Sequence, residues 1–239
     1  MTPGGLWVYL STSPLLWLTV TLLAWIAADA LSHASGRHPL CNPVPVAVLL
    51  VAALLWLTGT GYGVYFEGAQ FVHFLLGPAT VALAVPLYRD RVLVRRNLLP
   101  MIAALVAGSA TAIGSALVFA VAFGLPHDIV VSLATKSATT PVAMAVTEQF
   151  GGNPSLTAAL VITTGIVGAI VVTPMMNALG IRDYAARGFA AGLASHGVGT
   201  ARAFVVHPIA GTFAGVAMGL NALATSLLVP VLLRWFGLA

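Results

Sequence analysis

The sequence predicts an all-α polytopic membrane protein of about six to eight membrane segments, with interrupted or re-entrant helices and internal, inverted repeats. Three observations predict this. Charged residues make up 7% of the 239 residues and hydrophobic ones 59%, whereas a soluble domain is roughly a quarter charged. Apolar runs of about 20 residues, enough to cross a bilayer, follow one another along the chain. Several of these runs are broken by glycine, proline and hydroxyl residues, where lipid offers no hydrogen bonds.

The first helix is expected from Leu6 to Leu31. It has no basic leader and carries Trp7 and Trp17, so it reads as a membrane helix and not as a cleaved signal. Asp29 near its end reads as an interfacial acid. A polar turn with Arg37 leads to a second span, Val44 to Gly63, and Tyr62, Tyr65 and Phe66 suit an aromatic belt. The third segment, Gly68 to Tyr88, is interrupted between Leu76 and Thr80. Gly77-Pro78 frees backbone groups there, as a simple kink or as a broken helix beside a site that Pro78 and Thr80 would line, with Gln70 and His73 ahead of it.

A basic loop, Arg89 to Asn97, precedes the fourth span, Leu98 to Phe123. In that span Gly108 and Ala112, and Ala110 and Gly114, are four apart, a spacing for close helix packing. The segment from His127 to Glu148 encloses Lys136, the only lysine, with Ser137, Thr139, Thr140 and Pro141. The next span, Leu156 to Met176, contains Thr163, Thr164, Gly165 and Gly168. A loop with Arg182, Asp183 and Arg187 leads to Gly188–Phe204, which contains Ser195, His196, Thr200 and Arg202. The last span, Gly211 to Leu233, opens on Gly211, Gly215 and Gly219, expected to be a tight packing face, and holds Asn221, expected to join helices.

Net charge is +4, with an isoelectric point near 9.7. The arginines lie between apolar segments, so they report topology and not nucleic-acid binding. If basic loops face the cytoplasm, the Arg89–Arg96 and Arg182–Arg187 loops share a side only when an even number of crossings separates them. The segment from His127 to Glu148 must then enter and leave on one face, as a hairpin with its tip at the Ser/Thr/Pro run; a single broken span is the alternative. Three interrupted stretches, Gly77–Val85, Ser137–Val146 and Ser195–Phe204, recur at intervals of about 60 residues, the pattern of a repeat-built transporter.

Inside a bilayer, a lysine is costly unless something uses it. Lys136 is expected to pair with Glu148 or Asp128, or to act as counter-charge to an anion. In the second case Ser137, Thr139 and Thr140 donate hydroxyl bonds, and a helix starting at Pro141 aims its N-terminal amides at the anion. Gly188, Gly192, His196 and Thr200 are spaced by four and would share one face of a helix, leaving His196 open to a cavity as a proton carrier. Ser195 is expected beside it, and Arg202 could clamp a carboxylate in two places. There is no His-Glu-x-x-His, no Gly-x-Ser-x-Gly, no intramembrane aspartate pair and no nucleotide-binding loop, so neither an enzyme nor a primary pump is expected. The single Cys41 excludes an intramolecular disulfide and a cysteine-rich metal site.

The runs Lys136 to Met144 (KSATTPVAM), Glu148 to Leu156 (EQFGGNPSL), Thr163 to Gly168 (TTGIVG), Ala194 to Ala203 (ASHGVGTARA) and Ala214 to Asn221 (AGVAMGLN) resemble the LrgB/CidB family. The stretch from Leu76 to Tyr88 matches an earlier motif of that family, so the resemblance covers most of the chain from about Phe66. It implies a multi-pass protein of the bacterial inner membrane, often working with a small LrgA/CidA-type holin-like partner. The family is named for effects on murein hydrolase export and lysis. Similar proteins include the plastid glycolate/glycerate transporter and members linked to pyruvate uptake.

The function expected is therefore secondary transport of small monocarboxylates (glycolate, glycerate, pyruvate or lactate), driven by H⁺ or Na⁺ and without a cofactor. The alternative is a holin/antiholin-like regulator of murein hydrolase export and lysis. A single membrane domain is expected, with residues 1–66 as a scaffold or homodimer part and 67–239 as the LrgB-like core.

Overall fold

The computed structural model describes residues 13–75, 78, 81–82 and 84–238, and every regular element among them is helical. The chain divides into two compact units, Met1–Ala84 and Val85–Ala239. Among the described residues four helices are long and apolar enough to cross a membrane, Pro14–Ala34, Leu98–Ala122, Pro154–Ala178 and Pro208–Trp235, with Pro43–Thr58 as a shorter apolar helix. The protein is a multi-pass membrane protein.

In the first unit, α1 (Pro14–Ala34) starts on a proline, whose missing N–H costs nothing in a first turn. A short 3₁₀ turn (Pro39–Cys41) precedes α2 (Pro43–Thr58). Asn42 Oδ1 accepts from Val44 N to cap α2, and Gly59, at φ 65, ends it, so the helix stops short of the span expected to Gly63. In α3 (Tyr62–Phe74), Gly68 lies directly on the α1 backbone at Pro14 and Leu18, where a Cβ has no room. Trp17 is fully buried, edge-on to Tyr65. Pro78 is exposed; Gly77 and Thr80 of the expected break lie outside the described residues.

Helix α4 (Ala84–Arg89) starts at the boundary, and the second unit continues with α5 (Arg91–Arg96), α6 (Leu98–Ala122), α7 (His127–Ala134), α8 (Thr140–Gln149), α9 (Pro154–Ala178), α10 (Tyr184–Val206) and α11 (Pro208–Trp235). Helices α7 and α8, of 8 and 10 residues, form a hairpin. His127 Nε2 meets Phe150 O at 3.0 Å, Asn153 N donates to Ser132 Oγ, and the Thr135 and Thr147 hydroxyls bond at 2.8 Å. The two ends of the segment therefore lie together at one end of the bundle, with Lys136 at the far tip, as the charge pattern requires.

α10 is a second hairpin. Its 23 residues would stretch roughly 34 Å if straight. Instead, Tyr184 at its start stacks on His207 just past its end, 4.1 Å between ring centroids. Gly199 lies against Ala191, and the reversal falls at His196, whose φ of 40° and ψ of −130° are outside the helical region. Gly188, Gly192, His196 and Thr200 therefore do not share one helix face, because the chain turns back within that run. Gly188 and Gly192 admit the backbone of α11 at Ala210 and Ala214. Of the glycines expected to pack α11, Gly211 lies against the Phe204 ring with no room for a Cβ, whereas Gly219 has open space around it.

The hairpins open at opposite ends. Val130, Val131 and Val146 of the first pack with the C-terminal parts of α6 (Leu117, Ala120) and α11 (Val229, Leu233). Phe189 of the second packs with Val94, with Met101 near the start of α6 and with Phe213 near the start of α11. The basic loops lie at this second end, where Asp90 accepts from Thr212 Oγ1 at 2.7 Å.

A repeat follows from these spans. α6 and α9 are 25 residues each and start and end 56 residues apart (98 to 154, 122 to 178). The hairpins His127–Gln149 and Tyr184–Val206 are displaced by 57 (127 to 184, 149 to 206). Each repeat is one crossing plus one hairpin, so the second is inverted relative to the first. The offset is slightly shorter than the 60 or so residues read from the interruptions. The equivalent units are crossing-plus-hairpin pairs, two in number within residues 98–206.

Candidate functional site

The two hairpin tips meet at mid-bundle. Their arms are about 12–18 Å long, roughly half of a ~30 Å hydrocarbon layer, so they end near its middle. At the first tip, Thr139 is extended (ψ 142°) and begins α8, with Pro141 in the first turn, where its fixed φ suits a helix start. Thr139 makes no side-chain cap, and the N-terminal amides of α8 face the tip as the sequence predicts. Lys136 follows the C-terminus of α7, where the helix dipole favours a cation.

Asn221, near the middle of α11, ties the tips together. Its Nδ2 donates to Ser137 O of the first tip at 2.8 Å and to Leu193 O of the second hairpin at 3.2 Å, and its Oδ1 accepts from Ser109 Oγ of α6 at 2.7 Å. The sequence places Asn221 between helices. Four elements converging on one amide is a structural finding.

Beside this junction is an open cleft of about 430 Å³. Lys136 and Ser137 enter it from the first tip, Leu193 and Ala194 from the second hairpin, Thr163, Thr164 and Gly168 from α9, and Gly108 and Ala112 from α6. The lining repeats itself: Gly108 corresponds to Thr164, Ala112 to Gly168, Lys136 to Leu193 and Ser137 to Ala194, by the same 56- and 57-residue offsets (108 to 164, 136 to 193). The cleft thus lies on the internal two-fold axis.

Lys136 forms no ion pair among the described residues; its ammonium makes one long contact, to Ser137 Oγ at 3.5 Å. The expected pairing with Glu148 or Asp128 does not occur, because both lie at the open end of the hairpin while Lys136 is at the tip. Thr139 and Thr140 are half-buried at the start of α8, outside the cleft lining. Ser195 lies behind the cleft, fully buried, its hydroxyl against Gly168.

The second half of the expected constellation is elsewhere. His196 is buried rather than open to a cavity: its Nε2 is 2.8 Å from Val161 O and its ring fills the space above Gly165. Thr200 Oγ1 donates to His196 O at 2.8 Å, closing the turn. Arg202 is also buried, in a small pocket with Arg187, Val172 and Met176 in the basal half of the hairpin. The fold-back carries it down the returning arm, away from Lys136. Pro78 belongs to the other unit. Leu193 and Ala194 were not singled out by the sequence, because the interval of about 60 residues read there does not lead from Lys136 and Ser137 to them; the 57-residue offset of the hairpin ends does. Among the described residues no three His, Cys, Asp or Glu side chains gather as a metal site.

The LrgB-like family model matches residues 21–235, which covers both hairpins, the cleft and α11. The chain belongs to the LrgB-like family. It is similar to the Bacillus subtilis (strain 168) uncharacterized protein YxaC, 35% identical over 221 residues, 92% of this chain and 96% of that one. It is similar to the holin-like protein CidB of Staphylococcus aureus (strain Mu50), 31% identical over 224 residues, 93% of this chain and 96% of that one. A holin-like CidB of Staphylococcus epidermidis (strain ATCC 12228) is 31% identical over 202 residues, 84% of this chain and 87% of the relative. No solved structure matches the chain. As an LrgB-like protein it is a multi-pass bacterial membrane protein.

Proposed function

We propose that this LrgB-like protein is a secondary transporter of small monocarboxylates of the glycolate, glycerate, pyruvate or lactate kind. The observation that carries the reading is Lys136: a cation at a hairpin tip, in a cleft on the two-fold axis, with no acidic partner among the described residues. An inverted pair of broken elements meeting at mid-membrane suits alternating access, and helix N-termini there suit an anion. Ser137 and Thr164 would donate to the carboxylate beside the ammonium. Binding would use no cofactor, and H⁺ or Na⁺ would drive it. Residues 1–66 would serve a homodimer.

The test is uptake of labelled glycolate or lactate by proteoliposomes. Wild type should saturate, Lys136→Ala should lose at least about 100-fold in uptake, since the anion then has no counter-charge in lipid, and Lys136→Arg should keep part of it. Undiminished uptake by Lys136→Ala would refute the assignment.

A second reading is favoured by the holin-like names of the Staphylococcus relatives. On that reading the chain regulates murein hydrolase export and lysis together with a small LrgA/CidA-type membrane partner. It predicts non-saturable leakage of unrelated solutes that requires the partner and is indifferent to Lys136.

A further inference from the structure

We propose that Leu193 restricts the cleft to substrates carrying a single negative charge; this rests on the carboxylate-transport reading and names a determinant within it. The repeat puts Leu193 where the first hairpin has Lys136. Its isobutyl group lies over Gly108, where any Cβ would collide with it. Around the axis, the ammonium and hydroxyls of Lys136, Ser137 and Thr164 face the apolar groups of Leu193, Ala194 and Ala112.

A two-fold site with both halves alike would offer two cations and suit a dianion. Here the symmetry of the backbone is kept and that of the chemistry is broken. A monocarboxylate can place its charge at Lys136 and its small body against Leu193 and Ala194. A dicarboxylate of similar length would bury its second charge against an isobutyl group, and an unpaired charge away from water is heavily penalised. Arg202 does not relieve this, because it lines a different pocket.

The test uses the full 239-residue chain in proteoliposomes taking up labelled glycolate. The competitors are malonate and its monomethyl ester, nearly alike in length and different in charge. With wild type, the half-ester should inhibit at least about tenfold more strongly than malonate at neutral pH. Leu193→Lys should reverse that order. Lys136→Leu alone should lose uptake, and the exchange Lys136→Leu with Leu193→Lys should restore it, because the cation then occupies the equivalent position. If malonate inhibits wild type as strongly as the half-ester, the inference is overturned, however the variants fold. If Leu193→Lys elutes as a folded protein and still favours the half-ester, Leu193 is not the determinant. If wild type takes up no carboxylate, the transport reading itself fails, and this inference with it.

Discussion

Tyr184 and His207 lie ring on ring, 4.1 Å between centroids and 4° between planes, at the two ends of a 23-residue helical segment. The contact is possible only because the chain reverses at His196. It has a counterpart at the opposite end of the bundle, where His127 reaches Phe150 O at 3.0 Å. Each pair closes the open end of one hairpin, and together they show that neither segment crosses the bundle.

Topology can be checked directly. In a Cys41→Ala background, Asp128→Cys and Glu148→Cys should both react with a membrane-impermeant maleimide from outside the cell. Arg91→Cys and Arg182→Cys should react only after permeabilisation, since basic segments stay cytoplasmic. All four native side chains are exposed. Opposite labelling of positions 128 and 148 would mean a continuous crossing and would remove the first hairpin from the membrane's outer half.

Asn221 holds both tips, so its loss should loosen both at once. Asn221→Leu leaves Ser137 O, Leu193 O and the Ser109 hydroxyl without the amide, at a cost of about 1–3 kcal/mol for each buried group left unsatisfied. Ser109→Ala removes one donor only and should lower Tm by less than half as much. Hydrogen exchange should rise at residues 135–139 and 193–197 together in Asn221→Leu and at neither tip in Ser109→Ala. Faster exchange at one tip alone would contradict the bridging role.

The first hairpin was legible because arginines mark the cytoplasmic side, and Lys136 with its hydroxyls stood out against apolar sequence. For the second, the interruption in Ser195–Phe204 was legible but the fold-back was not, because Gly188 to Phe204 is rich in helix-compatible alanine and the reversal rests on one residue, His196, at a positive φ. The four-residue spacing of Gly188, Gly192, His196 and Thr200 is real, but its meaning assumed a straight helix. Arg202 was drawn toward Lys136 by the same assumption. Leu193 and Ala194 look like ordinary apolar residues; only their repeat partners, Lys136 and Ser137, give them significance.

The packing of α10 on α11 gives a paired expectation. A Cβ on Gly192 falls on the carbonyl of Ala214, part of a helix that cannot shift locally, so Gly192→Ala should cost about 1–3 kcal/mol. Gly219 has nothing within 4 Å of the same position. Gly219→Ala should be neutral or stabilise by up to about 1 kcal/mol through helix propensity. Thermal unfolding in detergent distinguishes the two, and equal effects would mean that glycine content, not close approach, governs this face.

Three hydroxyls hold the first hairpin against α9. Thr157 Oγ1 donates to Thr147 Oγ1 at 3.0 Å, Thr147 and Thr135 share a bond of 2.8 Å, and all three residues are fully buried. Thr147 is the shared member, so Thr147→Val keeps the shape but takes the acceptor from Thr157, at a cost of about 1–3 kcal/mol, while Thr135 Oγ1 keeps its bond to Ser132 O. Once Thr147 is valine, Thr157→Val removes a hydroxyl that has already lost its acceptor, so the second change should be nearly neutral or slightly restoring. The double variant should therefore be more stable than the sum of the single losses predicts, by about 0.5 kcal/mol or more, the scale on which contacting residues depart from additivity. Strict additivity in the measured Tm shifts would mean that Thr147 and Thr157 act separately, and that their hydroxyls do not couple the hairpin to α9.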